Sequence, residues 1–142
     1  MADNNIITVT VVTPYGIQYS HRAHMVSVKS IDGDLGIMAN HEPIVAPLKI
    51  SEVRVKRTDD TTHVDAIAVN GGFIEFQDNV ATIVADGAER ARDIDLSKAE
   101  QERSEAEKKL HEAETQHDID QQRRAEVALK KAMNRINVSK HL

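Results

Sequence analysis

From Ile6 to Thr13 the chain alternates, with Ile7, Val9 and Val11 on one face and Ile6, Thr8, Thr10 and Val12 on the other. A period of two marks a strand with one buried face. The pattern continues through residues 25–28, 48–50, 53–55 and 64–69, and Asp59 and Asp60 between the last two predict a hairpin. Gly71 with Gly72, and Asp78 with Asn79, read as turns bracketing the apolar segment 73–76. Beyond them Val80, Thr82 and Val84 alternate with Ala81, Ile83 and Ala85. Short strands with frequent turn signals predict an antiparallel sandwich.

The period then changes. Asp95 or Ser97 can cap a helix, and Glu100 stands three residues past Ser97 as a capping box requires. Leu96, Ala99, Ala106, Leu110 and Ala113 follow at helical steps, with Arg103 interrupting the stripe. At His117-Asp118-Ile119-Asp120 the periodicity breaks and a second cap appears. Ala125, Leu129, Ala132 and Ile136 then form a second stripe beside Val127, Ala128 and Met133. This predicts a helical hairpin. Helical stability comes mainly from packing an apolar face, and at about 25 cal/mol per Å² a seam of alanines stabilises only modestly. The expectation is an arm that moves between docked and released positions.

Composition divides the chain at the same place. All six Gly, all three Pro and the aromatics Tyr15, Tyr19, Phe73 and Phe76 precede residue 89, and charged residues number 17 in the first 88 and 24 in the last 54. The fold class is therefore α+β: a sandwich domain over 1–88 and a helical hairpin over 89–142. A net charge of -5 argues against nucleic-acid binding. The absence of Cys excludes disulfides and thiolate chemistry and accords with a reducing compartment. Met1-Ala2-Asp3-Asn4-Asn5 has no basic leader, and the apolar runs fall short of the ~20 residues that span a bilayer, so a soluble chain is expected. Within the arm, residues 89–120 carry 6 basic and 11 acidic side chains, and 121–142 carry 6 basic and 1 acidic. The basic end suits an acidic protein surface. A solvated face paired with the acidic first helix explains the same charges.

Catalytic patterns are missing. There is no nucleophile elbow and no Gly-x-x-x-x-Gly-Lys phosphate loop. His21 and His24 are three apart on strand-like sequence, and His111 and His117 six apart, so neither pair has the i, i+4 spacing of a zinc helix. Glu75 and Asp78 read as a strand-surface and a turn residue. No catalytic residue and no metal site are expected.

Three stretches carry a resemblance. Asp32-Gly33-Asp34-Leu35-Gly36-Ile37-Met38-Ala39-Asn40-His41-Glu42-Pro43 combines an acidic, Gly-flanked loop with a Gly-Ile and a His-x-Pro segment. Asn70-Gly71-Gly72-Phe73-Ile74-Glu75-Phe76 is followed by Ala88-Glu89-Arg90-Ala91 and Asp93-Ile94-Asp95. The third is Ala125-Glu126-Val127-Ala128-Leu129-Lys130-Lys131-Ala132-Met133-Asn134-Arg135. Together they resemble the epsilon subunit of the bacterial F-type, proton-translocating ATP synthase. The resemblance implies a sandwich followed by two helices. It also implies a non-catalytic central-stalk subunit between gamma and the c ring, with an arm that rises into the alpha/beta head and restrains ATP hydrolysis. The location implied is peripheral, on the cytoplasmic side of the cell membrane.

Carried over by position, Asp32, Gly33, Asp34 and Leu35, with His41 close behind, are the expected c-ring contact; an ordinary turn with His41 in a packing role is the alternative. Arg123, Arg124, Lys130, Lys131 and Arg135 are the expected contacts of the raised arm with the head. Some bacterial members of the family hold ATP in the folded arm. Their pattern places Glu89, then Ile94, Asp95, Lys98 and Ala99, then Lys131 and Arg135, at the nucleotide. Here Lys98 and Lys131 replace Arg, and Glu105 falls where a base is expected. Lys lacks the bidentate fork and Glu repels phosphate, so ATP binding is expected to be weak or absent, with no other cofactor. The alternative function is a free-standing nucleotide-sensing module, which co-purification distinguishes from a stalk subunit.

Overall fold

The computed structural model describes residues 5–60 and 62–142, so the leader reading at Met1 to Asn4 lies outside the described residues. The strands are β1 (Ile7–Thr13), β2 (Gly16–Ser30), β3 (Gly33–Met38), β4 (Ile44–Arg57), β5 (Val64–Gln77), β6 (Val80–Val84) and β7 (Ala88–Arg90). A 3-10 turn at Ala91–Asp93 leads to α1 (Leu96–Thr115) and α2 (Ile119–Ser139).

The strands run in the order β1-β6-β5-β4-β2-β3; β1 also pairs with β2 and β7 with β5. The β1–β2 pairing closes β1, β2, β4, β5 and β6 into a flattened ring. Four contacts of this ring are antiparallel, in keeping with an antiparallel sandwich, and β1–β6 is parallel. The reason is parity: an odd ring of strands cannot alternate direction all the way round. Ile7, Val9, Val11, Val26, Val28, Val53, Val55, Ile67, Ile74, Phe76 and Ile83 fill the interior, each at most 1% exposed.

Segments 48–50 and 53–55 belong to the single strand β4, and 64–69 and 73–76 to the single strand β5. Gly71 and Gly72 are therefore no turn. They keep register with β4, as the partners Leu48↔Gly72 and Ile50↔Asn70 show, while adopting φ of 78° and 101°. At this kink β5 changes neighbour, from β7 along 67–69 to β6 along 73–77. A Cβ on Gly72 would lie 1.9 Å from the Val84 carbonyl oxygen. Asp78 and Asn79 do form a hairpin turn, both with positive φ, which suits the twist of β5 and β6. Pro47, Phe73, Val84, Val12 and Ile17 are successive cross-strand partners, an apolar row with Phe73 40% and Ile17 66% exposed.

In the arm, Asp95 rather than Ser97 is the first cap, its side chain accepting from Lys98 N at 3.2 Å. Asp118 caps α2 in the same way. Between the helices His117 takes φ 55° and lets the chain reverse. Ala99, Ala106 and Ala113 of α1, and Ala125, Ala132 and Ile136 of α2, are buried. Leu96, assigned to the stripe by its spacing, is 43% exposed. The seam position between Ala99 and Ala106 is occupied by half-buried Glu102, and Arg103 points outward to pair with Glu107. The arm docks through a small second core in which Val138 and Ile94 meet Ala66, Ala68 and Ala91. That contact is why residues 65–69 of β5 are buried on both faces.

Candidate functional site at the junction of arm and sandwich

Arg135, near the end of α2, reaches two carboxylates. Its Nη1 donates to Glu102 Oε2 of α1 at 2.8 Å, and its Nε lies 2.9 Å from Glu89 Oε1 of β7. The Nε–H is buried and not aligned with any acceptor, so attraction of charge rather than a directed hydrogen bond holds Glu89 there. The Arg135 side chain is 13% exposed, and both carboxylates are 40% exposed. One cation thus joins three elements. Nearby, Asn134 Nδ2 donates to Ser51 O at 2.9 Å, and His141 pairs with Glu52, which also lies 3.3 Å from Arg54 Nε. A cleft of about 270 Å³ beside the junction is lined by Thr13, Tyr15, Gln18, Asn70, Glu89 and Arg135 among others.

Of the expected nucleotide residues, the structure joins Glu89 and Arg135 directly, and Lys131 lies one turn before Arg135 on α2. Ile94 packs in the docking core. Asp95 is engaged as the α1 cap, Ala99 lies in the helix seam, and Lys98 is exposed. Lys131 is half-buried, and Glu105 accepts a hydrogen bond from Gln101 one turn earlier. Glu102 is the member that sequence reasoning missed. Its spacing was the available signal: it stands three past Ala99 and four before Ala106, on the seam itself. Of the basic residues assigned to the head, Arg123, Arg124 and Lys130 are exposed, whereas Arg135 is engaged at the junction.

The β2–β3 turn presents Asp32, Gly33 and Asp34 to solvent with Leu35 half-buried. Ser30 Oγ donates to Gly33 O at 2.7 Å and accepts from Asp32 N at 3.2 Å, and Gly33 has φ 137°. His41 does not lie beside this turn. The rest of β3 runs from Asp34 to Met38, a rise of about 13 Å, and His41 sits at that far end with its N–H donating to Met38 O at 3.2 Å. His41 instead meets Phe76 edge-on with ring centres 5.9 Å apart, and its Nδ1 donates to Glu42 O at 2.7 Å.

A buried polar network backs β7. Tyr19 Oη donates to Asp65 Oδ2 at 2.6 Å, and Arg57, Arg90 and His63 lie 3.5, 3.9 and 3.5 Å from the same carboxylate. The Arg90 guanidinium also lies 5.3 Å from the Tyr19 ring centre. Burial, reinforced by Asp65, pushes the Tyr19 phenol above its ordinary range. Burial, and then the Arg57 and Arg90 charges, hold the His21 imidazole below its ordinary value. Among the described residues no group of three or more His, Asp or Glu side chains is placed to hold a metal ion, and no helix is long and apolar enough to cross a membrane.

A tandem arrangement of this kind has a counterpart among known families. The model of the ATP synthase delta/epsilon chain beta-sandwich domain matches residues 6–91, and that of the long alpha-helix domain matches residues 92–140. The chain belongs to the ATP synthase delta/epsilon family. The ATP synthase epsilon chain of Latilactobacillus sakei is 55% identical over 140 residues, covering 99% of this chain and 97% of the relative. That of Lacticaseibacillus casei is 57% identical over 135 residues, covering 95% and 94%. A chain of the Euglena gracilis mitochondrial ATP synthase, solved as OSCP/F1/c-ring, shares the fold with a TM-score of 0.76 at 21% identity, over 92% of this chain and 79% of that one. A chain of the Tetrahymena thermophila mitochondrial ATP synthase central stalk/c-ring gives 0.50 at 18% identity, over 66% and 69%. In this member of the delta/epsilon family, the join between the matched domains falls at the 3-10 turn after β7, one residue beyond buried Ala91.

Proposed function

We propose that the chain is the epsilon-type subunit of a rotary ATP synthase: a non-catalytic central-stalk component that links gamma to the c ring and regulates ATP hydrolysis with its helical arm. The observation that carries this reading is the pair of consecutive family domains spanning residues 6–140, in a chain that covers nearly the whole length of its epsilon-chain relatives. The complex is membrane-associated, and the subunit sits peripherally on the cytoplasmic side of the cell membrane, where the proton-driven ring turns it.

The ring contact is the β2–β3 turn at Asp32, Gly33, Asp34 and Leu35, whose exposed carboxylates suit polar ring loops. His41 belongs to a separate surface at the other end of β3. The apolar row from Pro47 to Ile17 offers the sandwich a broad face for gamma. When the arm rises, Arg123, Arg124, Lys130, Lys131 and Arg135 meet acidic positions of the alpha/beta head. ATP binding by the docked arm is weak, because Glu89 and Glu102 already neutralise Arg135 and Asp95 is engaged as a cap.

Membranes carrying a chain cut after Asp93 test this reading, since that cut leaves β7 and the sandwich intact. The shortened chain is expected to co-purify with alpha, beta, gamma and c subunits in detergent and to support ATP synthesis, while ATP hydrolysis rises severalfold. Failure of the full chain to co-purify, or loss of assembly on shortening, overturns the assignment. Tight ATP binding that depends on Glu89 and Arg135, measured by equilibrium titration, overturns the nucleotide statement alone.

A further inference from the structure

We infer that the arm leaves the sandwich as a closed hairpin, with Arg135 passing from two carboxylates to one. Undocking and opening are then successive steps controlled by a single guanidinium. The inference rests on the movable arm proposed above and adds the order of events and the residue that sets it.

Three observations lead here. First, the two grips on Arg135 are unequal. Glu102 takes an aligned hydrogen bond from Nη1 at 2.8 Å, whereas Glu89 stands 2.9 Å from an Nε–H that points elsewhere. A charge-assisted hydrogen bond with good alignment outlasts one without it, so Glu89 is released first.

Second, one cation serves two anions. Glu89 and Glu102 share Arg135, and each weakens the hold of the other by repulsion. When β7 and its Glu89 are left behind, Glu102 keeps the whole guanidinium and the hairpin tightens. A mostly buried guanidinium is tolerated only while a carboxylate neutralises it, and the closed hairpin supplies that carboxylate throughout the first step.

Third, the two joints differ in extent. The α1–α2 seam runs the length of both helices, through Ala99, Ala106 and Ala113 on one and Ala125, Ala132 and Ile136 on the other. Docking involves the last turns of α2 and the residue His141 just beyond it, through Asn134, Arg135, Val138 and His141, with Ile94, against the small side chains Ala66, Ala68 and Ala91. Little apolar area holds the arm to the sandwich, so the polar contacts of Arg135, Asn134 and His141 contribute much of that joint, and loss of Glu89 removes one of them.

The full chain contains no Cys, so paired cysteines can carry spin labels without background. Lys56→Cys with Lys130→Cys reports docking, and Ser104→Cys with Lys130→Cys reports closure of the hairpin; distances come from pulsed electron paramagnetic resonance. Glu89→Gln is expected to raise the undocked population about tenfold while the hairpin distance stays as in the unsubstituted chain. Glu102→Gln is expected to broaden the hairpin distance while the docking distance persists. Arg135→Gln is expected to disturb both, and Arg135→Lys, with circular dichroism as a check on folding, to do so partly. An unchanged docking distance in Glu89→Gln, or a hairpin that opens in step with undocking, overturns the inference. Val138→Asp separates this from the parent reading: if it too fails to undock the arm, the arm is fixed and the regulatory proposal falls as well.

Discussion

Tyr19 and Asp65, 46 positions apart in the chain, are joined by a 2.6 Å hydrogen bond inside the sandwich, with the phenol as donor. The bond ties β2 to β5. The carboxylate it satisfies also draws in Arg90 of β7 at 3.9 Å, so the short strand that presents Glu89 to the arm is anchored through its next residue.

Tyr19→Phe removes the shortest hydrogen bond to a carboxylate that is 5% exposed. Leaving a buried acceptor short of a partner costs about 1–3 kcal/mol, and Arg57, Arg90 and His63 hold the loss toward the lower end. Chemical denaturation should show a lower midpoint with an unchanged slope. An unchanged midpoint would mean that the bond contributes nothing net.

Gly72→Ala should destabilise the sandwich by about 2 kcal/mol or more, because φ of 101° disfavours any Cβ and this one meets the Val84 carbonyl oxygen. Gly16→Ala shares a positive φ with open space around it and serves as the comparison. Thermal melts of the two variants should differ, with Gly72→Ala the lower.

Protonation of His21 opposes folding. Its folded pKa lies below the usual value, so its contribution is fully present above the unfolded value of about 6.5 and is lost as pH falls through the folded pKa. His21→Gln should therefore lose less thermal stability than the unsubstituted chain between pH 7 and pH 5. Parallel losses in the two proteins would exclude this imidazole as a contributor.

Phe73→Ser combined with Ile17→Ser removes two exposed members of the apolar row and leaves the interior intact. The double variant should fold normally by circular dichroism and bind gamma at least tenfold more weakly in a pull-down titration. Undiminished binding would place the gamma contact on another face.

Much of this molecule was legible along the chain because local periodicity records which face of an element is buried. Ile7, Val9 and Val11 announced their strand, and Ala99, Ala106 and Ala113 announced their helix face. The break at His117 likewise marked the reversal between helices. The glycine pair at 71 and 72 misled, since positive φ serves a turn and a kink within a strand equally well, and only the pairing of β5 with β4 on both sides of the kink distinguishes them.

The sequence by itself determined the class of each half and the scarcity of catalytic motifs, which depend on composition and on neighbours a few positions apart, whereas its division after residue 88 falls inside β7 (Ala88–Arg90). Only the tertiary structure decided that β1 runs parallel to β6, that His41 lies far from Asp32, and that Arg135 is shared by Glu89 and Glu102. Those relations join residues tens of positions apart. They arise from how the ring of strands closes and where the hairpin comes to rest on it, and no periodicity of two or 3.6 encodes either.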